Sequence, residues 1–523
     1  MNDTTLIISG GTVICEDAVL PEHDVFVRNG RIAAIRPSAG YRSADGEQAL
    51  GNSALETNPR GLVDYAQSII DGHDSGGHAH GGHRADAVAG LAADRVSDAA
   101  PAAHSAADAA TPTLPVVIDV RGAYVAPGMI DIHSDFIETV ASPRPSVVMD
   151  LRTSLYQAER ELVAHGITTI YHSLSVYGET IFDHKPIRNF DNVVRLIDEV
   201  AAMRDAEERE HLIRHRLHLR IEIDAVGHYE RIKELIASGA VDMISFMDHT
   251  PGQGQYSDLE IFGDTLKGYR DISDEEVARI VRTQQQSDKL SLAQMTELAR
   301  LAQSRGISVA SHDDDSIEKL DRMESFDAAI SEFPITMGVA RSARERGMHT
   351  LAGAPNVMMG HSHSGNLSAR EAVQAGAIDM LCSDYYPAAM IGAVFILHKT
   401  VGLDLAEAFA LVTANPAQAA GVDDEVGSIA VGKLADIVVV RKLPVRGTAD
   451  EPAVPVVTDS FVGGRCVHRS LYPLFADEAR GCETSAALLG YDVDVDVDVD
   501  VDVDVECDVA SAPAARREAQ VLR

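Results

Sequence analysis

The segment Gly128-Met129-Ile130-Asp131-Ile132-His133-Ser134-Asp135 carries the densest chemical pattern in the chain. Side chains alternate along a strand, so His133 and Asp135, two apart, project to the same side. An imidazole beside a carboxylate makes the first half of a divalent-metal site. Alone, a His-x-Asp pair is weak, because a satisfied core histidine explains it equally well. Its company is more telling. Glu222 lies near the end of the apolar run Leu217-His218-Leu219-Arg220-Ile221-Glu222-Ile223, and His249 follows Asp242-Met243-Ile244-Ser245-Phe246-Met247-Asp248. His312 follows Ile307-Ser308-Val309-Ala310-Ser311, with Asp313, Asp314 and Asp315 behind it, and Asp384 follows Ile378-Asp379-Met380-Leu381-Cys382-Ser383. A charge at the end of a buried strand is costly unless it is paired or coordinated. A core histidine accounts for one such end, but poorly for five. His133, Asp135, Glu222, His249, His312 and Asp384 are therefore the candidate metal ligands.

These residues need a scaffold that brings strand ends together. From Pro127 to about Gly421, β-like runs alternate with helical stretches, the pattern of parallel βαβ units. Strand ends are expected near His133, Ser173, Ile223, His249, His312, Phe333, Asn356 and Asp384. Eight strands with intervening helices predict an α/β fold with a closed (β/α)8 barrel, whose chemistry sits at the C-terminal ends of its strands. Short β runs at both ends of the chain, over 1–40, 116–127 and 426–470, predict a small β-sandwich domain beside a barrel over 128–425. Within the first of these, Arg28-Asn29-Gly30-Arg31 reads as a hairpin turn. Residues 41–115 are rich in Ala, Gly, Asp, Ser and His and read as a flexible insert. His73, His78, His80 and His83 in it read as solvated linker rather than metal ligands, since a floppy tract must first be ordered. The remainder, 471–523, is an acidic low-complexity tail whose Asp-Val repeat would set like charges on one strand face.

Composition narrows the partners. The formal charge is −35, with 5% aromatics and no Trp. This argues against nucleic acid or an anionic membrane as a partner. A small anionic substrate remains open if metal ions and local arginines dominate at the site. Five scattered cysteines with no C-x-x-C pair fit a reducing compartment, so the cytoplasm is the expected location. Nothing in the sequence fixes the oligomeric state, and a homo-oligomer is left open.

Gly128-Met129-Ile130-Asp131-Ile132-His133 after a small β domain, with the closing Gly432-Lys433-Leu434-Ala435-Asp436-Ile437, resembles the amidohydrolase superfamily. Several further motifs stand in family order: Arg216-Leu217-His218-Leu219-Arg220, Met247-Asp248-His249-Thr250-Pro251-Gly252-Gln253, Ala310-Ser311-His312-Asp313-Asp314, Gly353-Ala354-Pro355-Asn356, Ser362-His363-Ser364-Gly365-Asn366 and Ser383-Asp384-Tyr385-Tyr386-Pro387. They resemble the family of α-D-ribose 1-methylphosphonate 5-triphosphate diphosphatases of the carbon–phosphorus lyase pathway. The resemblance implies hydrolysis of a ribosyl triphosphate to the 5-phosphate and pyrophosphate, with two divalent cations (zinc, manganese or iron). In such a reaction Asp384 would orient water and accept its proton; Glu222 is the candidate carboxylate shared by two cations, since its two oxygens can bind one each. His218, His361 and His363 compete for a sixth ligand. Arg144, Arg216 and Arg220 are candidate phosphate holders, joined by His363, Ser364 and Asn366 in a glycine-containing loop; for the arginines, plain salt bridges are the competing reading. The usual His-x-His is His133-Ser134-Asp135 here, and no Lys near His249 in sequence offers a carboxylated bridge. The rival functions are an amidohydrolase acting on a C–N bond, such as a cyclic amidase or deacetylase, and a non-catalytic scaffold of the same fold.

Overall fold

A computed structural model describes residues 5–38, 116–178, 186–206, 210–254, 259–269, 272–362, 366–444 and 453–475. The first strands are set by turn chemistry. Asn29 and Gly30 both hold positive φ, 52° and 78°, which a tight hairpin between β2 (Val19–Arg28) and β3 (Arg31–Pro37) requires. β1 (Thr5–Ile14) pairs antiparallel with β2 and changes its other neighbour part-way along. Its first half runs parallel to β4 (Val116–Asp119), its second half parallel to β5 (Tyr124–Pro127). Gly11 sits at the change, where a Cβ would come within 2.5 Å of Val125 Cγ2.

The next eight strands run parallel, each beside its predecessor: β6 (Met129–Ser134), β7 (Ile167–Val176), β8 (Arg214–Glu222), β9 (Met243–Met247), β10 (Ser308–His312), β11 (Ile330–Glu332), β12 (His349–Gly353) and β13 (Met380–Cys382). Almost every residue in them is buried, as expected of parallel strands covered by helices outside and side chains inside. The ring closes from β13 back to β6. A parallel bridge joins Ser134 to Asp384, the Asp384 amide donates to His133 O (3.1 Å), and the Asp135 amide donates to Asp384 O (2.8 Å). The expected (β/α)8 barrel is the observed one. The expected strand ends agree within a few residues; Asn356 lies past β12, already in the helix Ala354–Met359.

Two residues before His312 and Glu332 come Ala310 and Ile330, on the same strand faces. They join Tyr171, Met243, Leu351 and Met380 in an apolar cluster that also takes in Ala417, Ala419 and Val426 from the chain after the barrel. This plug carries the polar layer above it. β14 (Ile437–Leu443), β15 (Val454–Val462) and β16 (Arg465–Arg469) then extend the first sheet from β5, giving the order β16-β15-β14-β5-β1-β2-β3 with β4 beside β1. Backbone bonds from Ile32 to Lys433, Gly432 to Ile32 and Ala435 to Gly30 tie the β3 edge to the chain ahead of β14, so the sheet wraps over its own core. Both chain ends thus build one small β domain. The insert expected over 41–115 and the tail beyond 475 lie outside the described residues.

The join between the two parts runs through Gly128, whose amide donates to Asp436 O at 2.9 Å. A Cβ there would overlap the Thr168 side chain at Oγ1 and Cγ2. Gly128→Ala is expected to destabilise the chain by about 1–3 kcal/mol, read as a lower urea midpoint at unchanged slope. An unchanged midpoint would show that this close approach is not needed.

Candidate metal centre

His133, on the first barrel strand, places Nδ1 2.9 Å from Glu332 Oε1 at the end of β11. His218, from β8, brings its Nδ1 to 3.8 Å from the same oxygen. Its ring is set by Ser173 Oγ at Nδ1 (3.1 Å) and Ser245 Oγ at Nε2 (2.9 Å). The rings of His133 and His312 lie 5.3 Å apart, and Phe333 packs against both at 4.9 and 5.2 Å.

A second group adjoins the first through His312. Asp313 Oδ2 lies 3.3 Å from His312 Nδ1 and 3.4 Å from His249 Nε2. On its other side His249 is held by Glu222, which takes the His249 backbone N–H at 2.8 Å on one oxygen and Nδ1 at 2.7 Å on the other. Arg220 donates from Nη2 to His312 Nε2 at 3.1 Å. A guanidinium can only donate, so that imidazole nitrogen is the acceptor. Three strand ends are turned by residues with left-handed backbone: Asp313 (φ 53°), Phe333 (φ 53°) and Asp384 (φ 57°). Such conformations cost about 1–3 kcal/mol each and persist where the surroundings enforce them, commonly at functional sites.

Burial and charge act strongly here. Burial raises the Asp131 carboxyl to about 7, against hydrogen bonds from Ser383 and His133 that favour its ionised form. Burial, followed by the charge of Asp135, raises Asp384 to about 7. Burial lowers His218 to about 3 and His312 to about 4. At His249 burial also pulls downward, but Glu222 and Asp313 outweigh it and raise the imidazole to about 10. Asp313 is held well below the usual carboxylate range: burial opposes ionisation, and His312 and His249 overcome it.

The donor set fits a divalent cation. His133, His312 and Glu332 bring one ligand atom each within 4.8 Å of one another, and so do His249, His312 and Asp313. Asp313 Oδ2, His312 Nδ1 and Glu332 Oε2 are buried with no hydrogen-bond partner among the described residues. Buried polar atoms left without a hydrogen bond are costly, and a cation at these atoms would remove that cost. Imidazole nitrogen with carboxylate oxygen suits zinc, manganese or iron.

Among the residues expected from sequence, His133, Asp135, His249, His312, Asp384, Arg220 and Asn366 line one cleft of about 550 Å³. Glu222 stands behind His249, with both oxygens engaged by that residue. Among the described residues, the carboxylates that form a possible ligand group with the cleft histidines are Glu332 and Asp313. Two arginines are not brought to the cleft. Arg216 pairs with Asp242 (3.1 Å), just ahead of β9 and so at the opposite end of the strands. Arg144 is exposed in the loop after the helix Phe136–Ala141. Of the competing histidines, His218 joins the cluster and His361 is exposed; His363 and Ser364 lie outside the described residues. Asp314 accepts from the Ser311 and Ser331 hydroxyls, and Asp315 accepts the Gly254 amide. Sequence reasoning missed Glu332, which ends its strand one residue before the Phe333 taken as the end. It also missed Arg188, which lines the cleft from the short turn Pro186–Arg188 and pairs with Asp135 (3.4 Å) and Glu138 (2.7 Å). Lys289 approaches the loop after β9 but donates to Thr250 Oγ1 at 2.7 Å and does not line the cleft.

A sequence profile of the amidohydrolase family matches residues 124–467. The chain belongs to that family. α-D-Ribose 1-methylphosphonate 5-triphosphate diphosphatase of Escherichia coli (strain K12) is 33% identical over 337 residues, 63% of this chain and 86% of that protein. A solved structure of molinate hydrolase superposes with a TM-score of 0.52 at 16% identity, covering 89% of this chain and 95% of that one. A Xaa-Pro dipeptidase with bound methionine gives 0.51 at 13% identity, covering 89% and 100%. At such identities the two structures speak for the fold alone. The expected amidohydrolase resemblance is thereby met.

Because His312 belongs to both ligand groups, His312→Asn is expected to weaken retention of zinc or manganese by about tenfold or more, measured by equilibrium dialysis with metal analysis. Arg144→Ala should leave retention unchanged. Wild-type retention in His312→Asn would remove that residue from the ligand set.

Proposed function

We propose that the cleft hydrolyses a ribosyl 5-triphosphate, α-D-ribose 1-methylphosphonate 5-triphosphate, to the 5-phosphate and pyrophosphate. The observation that carries this reading is the 33% identity to the Escherichia coli diphosphatase across 86% of that protein. The cleft volume of about 550 Å³ lies within the range of small-molecule sites, about 300–1,000 Å³. His133 and Glu332, with His249, His312 and Asp313, would hold divalent cations. Such cations supply Lewis-acid polarisation of phosphoryl oxygen and acidify the attacking water. Asp384 takes the proton of that water on a carboxylate oxygen. Its backbone bonds to His133 and Asp135 hold it beside the end of the first barrel strand. Arg188 and Arg220 supply positive charge at the cleft wall for the phosphate oxygens, and Asn366 adds an amide donor. Phe333 and Tyr177 add aromatic surface to the cleft wall.

Phosphorus NMR of the protein incubated with the ribosyl triphosphate tests the reading. Pyrophosphate is expected to appear, to stop on addition of chelator, and to slow by about 10²–10⁴-fold in Asp384→Asn. Turnover of a cyclic amide or an N-acetyl sugar without pyrophosphate release would overturn it.

The pH profile is a separate check. A carboxyl raised to about 7 is protonated, and useless as a base, below that pH. It becomes competent as pH rises through that value, and cations nearby move the transition lower. The ratio kcat/KM should therefore fall on the acid side of about 7 or below, and this limb should vanish in the residual activity of Asp384→Asn. A limb that persists there belongs to another group.

A further inference from the structure

A second cluster of imidazoles and a carboxylate lies on the outside of the barrel. Glu159 comes from the helix Leu151–Ala164, His215 is the second residue of β8, and His211 precedes that strand. His215 shares its strand face with Leu217, Leu219 and Ile221, which belong to the layer between strands and helices. Arg220 and Glu222 face the other way, into the cleft region. Seven residues of strand separate His215 from Glu222, about 23 Å at ~3.3 Å each. The two clusters share no residue.

The geometry is that of a ligand set. Glu159 Oε2 lies 3.2 Å from His215 Nε2 and 3.7 Å from His211 Nδ1, and the three donor atoms all fall within 4.8 Å of one another. A tetrahedral zinc ion with ligands at ~2.0–2.1 Å sets them about 3.3–3.4 Å apart, so shifts of tenths of an ångström suffice for the two printed edges. The side chains of His211, Glu159 and His215 are only 6%, 4% and 1% exposed. Outer hydrogen bonds are also in place. His172 Nε2 lies 3.0 Å from His215 Nδ1; when His215 Nδ1–H donates there, the Nε2 lone pair points at the cluster, as for ligating histidines generally. The Leu212 amide donates to Glu159 Oε2 at 3.1 Å, and the Tyr156 ring stacks on His211 at 5.4 Å.

A hydrogen-bonded network without metal accounts for part of this. His215 Nε2–H can donate to Glu159 and His215 Nδ1 can accept from His172. It leaves His211 without a hydrogen bond: its Nδ1 is buried, has no hydrogen-bond partner among the described residues, and stands only at ion-pair distance from Glu159 Oε2, 3.7 Å. A cation between the three atoms satisfies all of them.

We propose that Glu159, His211 and His215 bind one zinc-type divalent cation, with water in the fourth position, as a staple between the helix Leu151–Ala164 and the entrance to β8. The proposal is independent of what the cleft hydrolyses.

The test uses the full chain carrying His133→Ala and His312→Asn, which removes two ligands of the cleft cluster. Chelator-stripped protein is titrated with zinc by equilibrium dialysis and followed by thermal unfolding. One zinc per chain is expected, with a zinc-dependent rise in Tm; adding His211→Ala should weaken the affinity about tenfold or more and abolish the rise. Glu159→Gln, closer in shape, should do the same. Cobalt(II) added without touching the second cluster should give the intense visible bands of a four-coordinate ion. Equal zinc binding and equal thermal response with and without His211→Ala, or only the weak bands of six-coordinate cobalt, would overturn the proposal.

Discussion

The barrel is closed by the residues that carry its chemistry. Strands β6 and β13 meet through the Asp384 amide on His133 O, the Asp135 amide on Asp384 O and the Ser383 amide on Asp131 Oδ1. Few other contacts are available at that seam, because β13 spans only three residues. The positions of His133, Asp135 and Asp384 are therefore fixed by main-chain hydrogen bonds rather than by side-chain packing alone. A site built on such bonds is held more tightly than one carried on loops. The left-handed backbone of Asp384 (φ 57°) is the local cost, offset by closure of the ring.

Charge sets the second condition. Asp313, Glu332, Glu222 and Asp131 are all nearly inaccessible to solvent, and His133, His218 and His312 among them are driven toward their neutral forms by burial. Neutral imidazoles are good ligands but poor counter-ions. Positive charge then comes from Arg220 and Arg188, and from His249 as long as its Nε2 keeps its proton, and these leave Asp313 Oδ2 and Glu332 Oε2 without hydrogen bonds. Divalent cations resolve the imbalance with the least rearrangement, since the ligand atoms already converge.

How much of this was legible in the sequence follows from period and burial. Eight apolar runs pointed to the barrel, and the five that end near His133, Glu222, His249, His312 and Asp384 pointed to part of its inner layer, because charge placed after a buried run needs a reason. The ends of the runs were harder. Ala328-Ala329-Ile330-Ser331-Glu332-Phe333 reads as continuing into Phe333, and only the left-handed turn at that residue shows that Glu332 is the inward-facing terminus. Arg188 sits in a three-residue turn with no periodic signal at all. Arg216 and Arg220 show the opposite weakness. Four residues apart on one strand, they share a face but stand about 13 Å apart along it, so one reaches the cleft and the other pairs with Asp242 at the far end. Alternation reports the face of a strand; it does not report the end.

β8 makes the same point about histidine. His218 and Glu222 look inward to the cleft, whereas His215, an odd number of residues away, looks outward toward Glu159 and His172. A slip of one residue would exchange these two sets, exposing Leu217, Leu219 and Ile221 to the polar interior and pressing Arg220 into the apolar layer. The register is enforced by eight paired positions against β7 and five against β9. One strand can thus supply imidazoles to two separate clusters only because the apolar residues between them leave it a single stable register.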